Sequence, residues 1–338
     1  MATLRSDIII PEIFTPYLIE QTTFRDAFLA SGVVQPMAEL NASEDGGDYV
    51  NVPFFKANLT GDFEVLTDST SLTPGKITAD KQVAVVLHRG RAFESRDLAA
   101  LAAGTDPMAA IGAKVADYIA NQRQKDLIKC LEGVFGSLTG SDSPAFSALR
   151  FDTSGMTALG PRQCAKARAL LGDQGDKLTA VAMHSAVYYD LVERKAIDYV
   201  TATEARQTAL GTAQDAFAGS IAGAYGGNNA VPTYMGLRVI VSDDLAPTST
   251  DYPVYFFTQG AIASGEQMGL RTETDRDILA KSDAMAIDLH YVYHPVGAKW
   301  GVGTTNPTQA QLATIGNWTK VYELKNLGIV RATVTSNF

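Results

Sequence analysis

Histidines are the first place to look for chemistry in this 338-residue sequence, which contains four of them. His290 and His294 have the spacing that places two zinc ligands on one side of a helix. Their surroundings, Leu289 to Pro295, alternate as a strand does, and four residues of strand separate two Cα atoms by about 13 Å. One metal ion cannot bridge that distance, so we predict no metal site here.

The other two histidines are candidate general bases. His184 follows a buried strand and is the better candidate, but no GxSxG nucleophile elbow or catalytic-cysteine pattern accompanies it. His88 lies beside Arg89 and Arg91, where an exposed or interface position is expected. The sequence also contains no P-loop or Rossmann fingerprint. We therefore predict no catalytic, cofactor-binding or metal-binding residues and no cofactor. A soluble α/β hydrolytic enzyme centred on His184 is the weakest alternative.

Charge and composition exclude further classes of protein. The net charge is -9 and the pI is near 5.0, which disfavours general nucleic-acid binding because phosphate neutralisation needs Lys and Arg. Charged residues make up 19%, below the usual share of about 25%, which suggests a surface partly covered by neighbouring subunits. Cys130 and Cys164 form no CxxC pair and are predicted to be buried thiols. No leader pattern and no apolar run of about 20 residues is found, so we expect a protein kept in the cytoplasm and off membranes.

Two strand-like segments in the first third of the chain predict a projecting ribbon. Tyr49–Phe55 and Gln82–Phe93 alternate as strands do, and they bracket a polar loop of about 26 residues. Loops of that length inside a compact domain are uncommon and usually functional. A two-stranded ribbon is only marginally stable alone, so we expect this one to need a partner surface. A two-strand excursion within an ordinary sheet is the alternative.

A long helix follows the ribbon. Asp106 can cap it, Pro107 suits its first position, and apolar residues recur every three or four positions as far as Phe135, before Gly136 ends it. About 30 residues of helix span about 45 Å, enough to cross the whole subunit as a strut.

The rest of the chain reads as mixed α and β. Helices are predicted at Pro161–Leu171 and, capped by Ser185, at Ala186–Lys195, and residues 201–229 read as a mobile Gly-rich loop. The predicted strands are Leu178–Met183, Gly236–Ser242, Tyr252–Phe257 and Ala286–Tyr293, with a final strand pair within 298–338.

The order and local wording of these segments resemble the major capsid proteins of tailed phages, with the HK97-like fold, in the major capsid protein 13-like group. The resemblance covers nearly the whole chain. The segments that carry it are Val52-Pro53-Phe54-Phe55, Leu59-Thr60-Gly61-Asp62, Thr105-Asp106-Pro107-Met108-Ala109-Ala110-Ile111, Leu131-Glu132-Gly133-Val134-Phe135, Met235-Gly236-Leu237-Arg238-Val239-Ile240-Val241-Ser242-Asp243 and Gln259-Gly260-Ala261.

The resemblance implies an α+β capsid fold with five parts. These are an N-terminal arm (1–43), an E-loop hairpin (44–92), a P domain (93–159) with the spine helix at about 106–136, an A domain (160–285), and C-terminal strands that return to the P or A domain (286–338). It implies a coat protein, not an enzyme, that forms pentamers and hexamers of an icosahedral shell around double-stranded DNA.

The resemblance also implies partners and a location. Other copies of the chain are the main partner, and a separate scaffolding protein, a portal and a decoration protein are further ones. The DNA is enclosed without sequence-specific binding. Assembly is expected in the host cytoplasm, with the product in the virion. The nearest alternative is an encapsulin-like nanocompartment shell, which has the same fold and which the sequence alone separates poorly from a phage shell.

Overall fold

The computed structural model describes most of the chain. The described residues are 28, 31–41, 47–56, 63, 76–97, 107–136, 145–152, 158–201, 230–248, 250–301 and 303–336. Three predicted features lie wholly or largely outside these residues: the N-terminal arm up to residue 27 with its short helix, most of the ribbon's loop, and the Gly-rich stretch 202–229.

The described elements are numbered along the chain. The helices, besides short 3-10 turns, are α1 Pro107–Phe135, α2 Pro161–Leu170, α3 Ser185–Glu193 and α4 Gln309–Leu312. The strands are β1 Val34–Pro36, β2 Tyr49–Phe55, β3 Ala79–Val85, β4 Leu87–Arg96, β5 Arg150–Asp152, β6 Leu178–Met183, β7 Asp198–Thr201, β8 Ala230–Tyr234, β9 Leu237–Val241, β10 Asp251–Thr258, β11 Ile262–Asp277, β12 Ser282–Pro295, β13 Ala298–Trp300, β14 Trp318–Lys320 and β15 Ile329–Thr335.

Helix α1 confirms the predicted strut. It has 29 residues, about 43 Å at 1.5 Å per residue, and begins at the predicted proline. Gly136 ends it with a φ of +88°, a left-handed conformation that glycine adopts without steric cost. Most of the predicted stripe is buried where its side chains are described, including Val115, Ile119 and Leu131, whereas Tyr118 and Gln122 are partly exposed. The same face also buries the carboxylate of Asp126, which the apolar pattern did not indicate.

One four-stranded sheet packs against α1. Its strand order is β1-β11-β12-β4, and β11 and β12 form an antiparallel hairpin of 16 and 14 residues. Strand β11 was not predicted, because residues from Glu266 onward are largely charged and exposed, and no apolar alternation marks them. Pairing along β12 holds this segment extended.

The predicted strand Gln82–Phe93 is wrong in one respect: it is two strands with different partners. Strand β3 pairs with β2, whereas β4 pairs with β12, and Val86 separates them. Residues 82–87 are all buried, so the apolar pattern runs through the junction without marking the change of partner.

A seven-stranded sheet forms the second layer, in the order β5-β15-β10-β6-β9-β8-β7. The predicted final strand pair exists as β13 with β14, but the last strand, β15, instead joins this large sheet between β5 and β10. The predicted boundary between residues 285 and 286 falls inside β12, so that boundary does not coincide with the end of an element.

A buried arginine connects the large sheet to α1. Arg331 on β15 is 1% exposed, and its Nη1 donates a hydrogen bond to the carbonyl of Gly136 at the end of α1. The C-terminal carbonyls of a helix carry partial negative charge and lack intrahelical donors, so a guanidinium there stabilises the helix end. The strut and the large sheet are thereby fixed to one another.

Within the described residues, no helix is long and apolar enough to span a membrane.

Candidate functional site: the ribbon, its contacts and the face of the long helix

His184 is the N-cap of α3, not a free base. Its ring Nδ1 accepts the backbone N–H of Ala186 at 3.1 Å, and Ser185, the predicted cap, is the first helical residue. A neutral imidazole has one ring nitrogen with a lone pair, and here that lone pair is engaged. The other nitrogen, Nε2, lies 3.8 Å from Oδ1 of Asp243, whose side chain is largely exposed. The hydroxyl of Ser185 lies 3.5 Å from the same Nδ1. This geometry makes His184 the cap that positions the start of α3.

The pair His290 and His294 does not converge, as the strand spacing predicts. Both lie on β12, where His294 is buried, while His290 packs edge-on against His88 of β4 with ring centroids 4.2 Å apart. Among the described residues, no group of three or more His, Cys, Asp or Glu could hold a metal ion. The contact between His88 and His290 follows from the β4–β12 register, which the sequence did not indicate.

The ribbon of β2 and β3 is confirmed, and it forms a two-stranded sheet of its own. Its register runs from Tyr49 opposite Val85 to Phe55 opposite Ala79. At the far end of the ribbon, Phe54 packs edge-on against Tyr322 of the body with ring centroids 4.8 Å apart. Other large apolar side chains face solvent: Phe55 is 79% exposed, Phe63 is fully exposed and Ile77 is 56% exposed. Exposed apolar groups clustered on a marginal two-stranded ribbon are typical of a contact surface.

One face of the ribbon is fixed to the body by Gln82 of β3, which lies opposite Val52 in the middle of the ribbon. Its side-chain nitrogen donates to the hydroxyl of Tyr322 at 2.8 Å, and its Oε1 accepts from the backbone N–H of Gly297 at 2.9 Å. The same oxygen lies 3.2 Å from Nε2 of His294, and burial lowers the pKa of that imidazole to about 4. The ring is therefore neutral near pH 7. A small cluster of buried residues, including Val50, Ala84 and Val292, packs beside this network.

A second polar network joins the four-stranded sheet to α1. Arg89 of β4 donates from Nε to Oδ2 of Asp126 at 2.9 Å, and the hydroxyl of Tyr291 donates to the same oxygen at 2.6 Å. The other two guanidinium nitrogens of Arg89 donate to Asn306 Oδ1 and to the carbonyl of Pro307. The strand that continues from the ribbon is thus joined to the strut by a charge-assisted contact that is mostly buried.

The chain combines a long helix, a sheet packed on it and a ribbon with exposed apolar side chains, and it matches proteins of known function. The family model described as "Major capsid protein 13-like" matches residues 37–328. A curated relative, the "Major capsid protein" of Bacillus phage SPP1, is 36% identical over 341 residues, covering 96% of each chain. The chain belongs to the major capsid protein 13-like family.

Solved capsid structures share the fold of this major capsid protein. The capsid of Ralstonia phage GP4 aligns with a TM-score of 0.59 at 8% identity, over 91% of this chain and 88% of that one. The cyanophage Pam1 capsid asymmetric unit aligns with a TM-score of 0.54 at 13% identity, over 92% of each chain. The predicted family, the HK97-like α+β fold and the function as a shell-forming phage coat protein are confirmed.

Proposed function

We propose that this capsid protein builds pentamers and hexamers of an icosahedral shell around phage double-stranded DNA, and that the ribbon 49–85 is its reaching contact. The observation that carries this proposal is the contrast within the ribbon. One face is held by three contacts of Gln82 and by the packing of Phe54 on Tyr322, whereas Phe55, Phe63 and Ile77 are exposed among the described residues. A second copy of the chain supplies the missing cover, as repeated heterologous contacts do in closed assemblies.

We also propose the five-part division as the plan of the subunit: arm, E-loop, P domain, A domain and C-terminal strands. The pairing of β11 and β12 with β4 favours extending the P-domain sheet to residues from 262 to 295. The pairing of β15 with β10 favours a C-terminal strand that returns to the A domain.

The remaining parts of the proposal concern partners and location. The chain is proposed to be a structural protein without enzymatic activity that assembles in the host cytoplasm, on a separate scaffolding protein, around a portal, and with a decoration protein outside. Its net charge of -9 supports a wall that encloses DNA without binding it strongly. The phage relative favours a phage shell over an encapsulin-like compartment.

The test is expression of the chain, alone and with its gene neighbours, followed by electron microscopy. Wild-type protein is expected to give shells, or rings of five or six subunits. Phe55→Asn and Ile77→Asn together are expected to leave folded subunits that do not assemble, because substitutions of exposed side chains change folding stability by about 0.5 kcal/mol or less. Deleting residues 57–75 should have the same result.

Met235→Asn is the matched control, since Met235 is an exposed large apolar residue on the turn between β8 and β9, at a left-handed φ of +51° that asparagine tolerates. A wild-type chain that stays a monodisperse monomer under every condition contradicts the shell proposal. Normal shells from the double variant contradict only the proposed role of the ribbon and leave the shell proposal intact.

A further inference from the structure

A half-open cavity of about 220 Å³ lies between α1 and the four-stranded sheet, and three arginines line it. Arg89 and Arg91 come from β4, and Arg123 comes from α1. Residues two apart on a strand share a face, and residues three or four apart on a helix share a face. Arg89 and Arg91 therefore face the same helical surface that carries Arg123 and Asp126.

The cavity has more positive charge than the protein itself balances. Asp126 is neutralised by Arg89, and Arg123 donates from Nη1 to Oε1 of Glu266 at 3.0 Å, a carboxylate whose side chain is 57% exposed. Arg91 has no ion-pair partner in the described part of the chain. Three arginines against two carboxylates leave a surplus of one positive charge (3 - 2 = 1). That surplus is unusual in a chain with 37 acidic and 28 basic residues.

The size of the cavity restricts the kind of anion. A space of about 220 Å³ accommodates one acidic side chain of a protein segment. A nucleic-acid duplex cannot enter a cavity of this size. An acidic side chain therefore fits both the space and the surplus positive charge.

We propose that this cavity binds an acidic side chain from a second copy of the same chain, with Arg91 as the main contact. The inference rests on the proposed assembly, because a second copy supplies this partner at high local concentration. The chain carries the necessary carboxylates in surplus, as its charge of -9 shows. Charge complementarity of this kind fixes the register of two subunits more than it adds affinity.

A zero-length crosslink tests the contact directly. Arg91→Lys keeps the charge and places a primary amine at the cavity, and a carbodiimide joins an amine only to a carboxylate in contact with it. Shells assembled from a mixture of ¹⁴N- and ¹⁵N-labelled subunits are treated, digested and analysed by mass spectrometry. We expect mixed-isotope crosslinks from position 91 to an Asp or Glu of another copy. Arg162→Lys is the control, since Arg162 is exposed on α2 and has no ion-pair partner among the described residues.

Arg91→Glu is the complementary variant. It is expected to raise the concentration needed for assembly at least tenfold, whereas Arg162→Glu leaves it unchanged and both variants keep the wild-type circular dichroism spectrum. Shells that form normally from Arg91→Glu, or that give no intersubunit crosslink at position 91, overturn this inference and leave the proposed function intact. A crosslink confined to one copy also overturns it. Complete failure of the wild type to assemble refutes the proposed function, and this inference with it.

Discussion

Gly133 lies near the end of α1 where a methyl group has no room, and its replacement by alanine separates two physical effects. In an isolated helix, Gly→Ala is stabilising by about 1 kcal/mol. In this protein a Cβ at Gly133 would overlap the carbonyl oxygen of Leu312 and Nε1 of Trp318, and would lie 2.7 Å from Cδ1 of the same indole. The indole N–H of Trp318 donates to the Leu312 carbonyl at 2.8 Å in a buried position, so the methyl group would disrupt this hydrogen bond.

The expected magnitude follows from these contacts. Overpacking a well-packed core costs about 1–3 kcal/mol. Separating the buried donor from its acceptor costs about 1–3 kcal/mol more. Subtracting the gain of about 1 kcal/mol in helix propensity leaves a net loss of about 1–5 kcal/mol in the free energy of unfolding. A loss of about 3 kcal/mol corresponds to a roughly 150-fold lower ratio of folded to unfolded chains, at about 1.4 kcal/mol per factor of ten.

Urea unfolding of unassembled subunits measures this loss. Tryptophan fluorescence is a suitable signal, because the chain has two tryptophans, Trp300 and Trp318, both buried with ring centroids 5.0 Å apart. Lys125→Ala is the control, since Lys125 is exposed on the same helix. We expect the control to stay within about 0.5 kcal/mol of wild type. A Gly133→Ala protein that is as stable as wild type, or more stable, would refute the close approach of α4 and β14 to the helix.

Three further predictions concern buried or capping side chains. Burial lowers the pKa of His294 to about 4 in the folded protein, from an unfolded value near 6.5, so between these pH values the unfolded chain binds a proton that the folded chain does not. Wild type should therefore lose up to about 3 kcal/mol of unfolding free energy between pH 6.5 and 4. Urea titrations at several pH values should show a smaller loss for His294→Asn over the same range. Arg331→Ala should lower the unfolding free energy by about 3 kcal/mol, since it leaves the Gly136 carbonyl without its donor and opens a cavity. An unchanged thermal midpoint would contradict the stabilising role of the contact between Arg331 and the end of α1. His184→Ala should cost about 1 kcal/mol through loss of the α3 cap and His184→Asn should restore it, whereas equal stabilities of all three proteins would exclude the capping role.

Local signals in the sequence were sufficient for elements with clear apolar patterns or end signals. Helix α1 begins at the predicted Pro107, and the strands Leu178–Met183 and Tyr49–Phe55 have the predicted bounds. Strand β11 could not be found in this way, because its charged residues are extended through pairing with a strand further along the chain. The partner change at Val86 was hidden for the opposite reason: an unbroken buried run looks the same on both sides of the junction.

The residues of the candidate sites are more difficult to predict than the elements, because their proximity depends on register. Arg89 and Asp126 are 37 positions apart, and Tyr291 follows Asp126 by another 165. Nothing in the local pattern of either segment specifies that contact. Likewise, His88 meets His290 only because β4 and β12 pair in one register, and a shift of β4 by one residue would turn His88 to the face opposite His290.

The energetics of assembly require more than the ribbon. Full burial of Phe55, Phe63 and Ile77 contributes roughly 1.5–3 kcal/mol each, so about 5–9 kcal/mol per copy as an upper value. Association costs an estimated 4–15 kcal/mol in lost translational and rotational freedom. The gain from the apolar end of one ribbon is therefore similar in size to the cost of one contact. We therefore expect stable shells to depend on several weak contacts made together, with the proposed contact at Arg91 selecting one orientation of the neighbour. We expect this balance to let wrongly placed subunits dissociate before the shell closes.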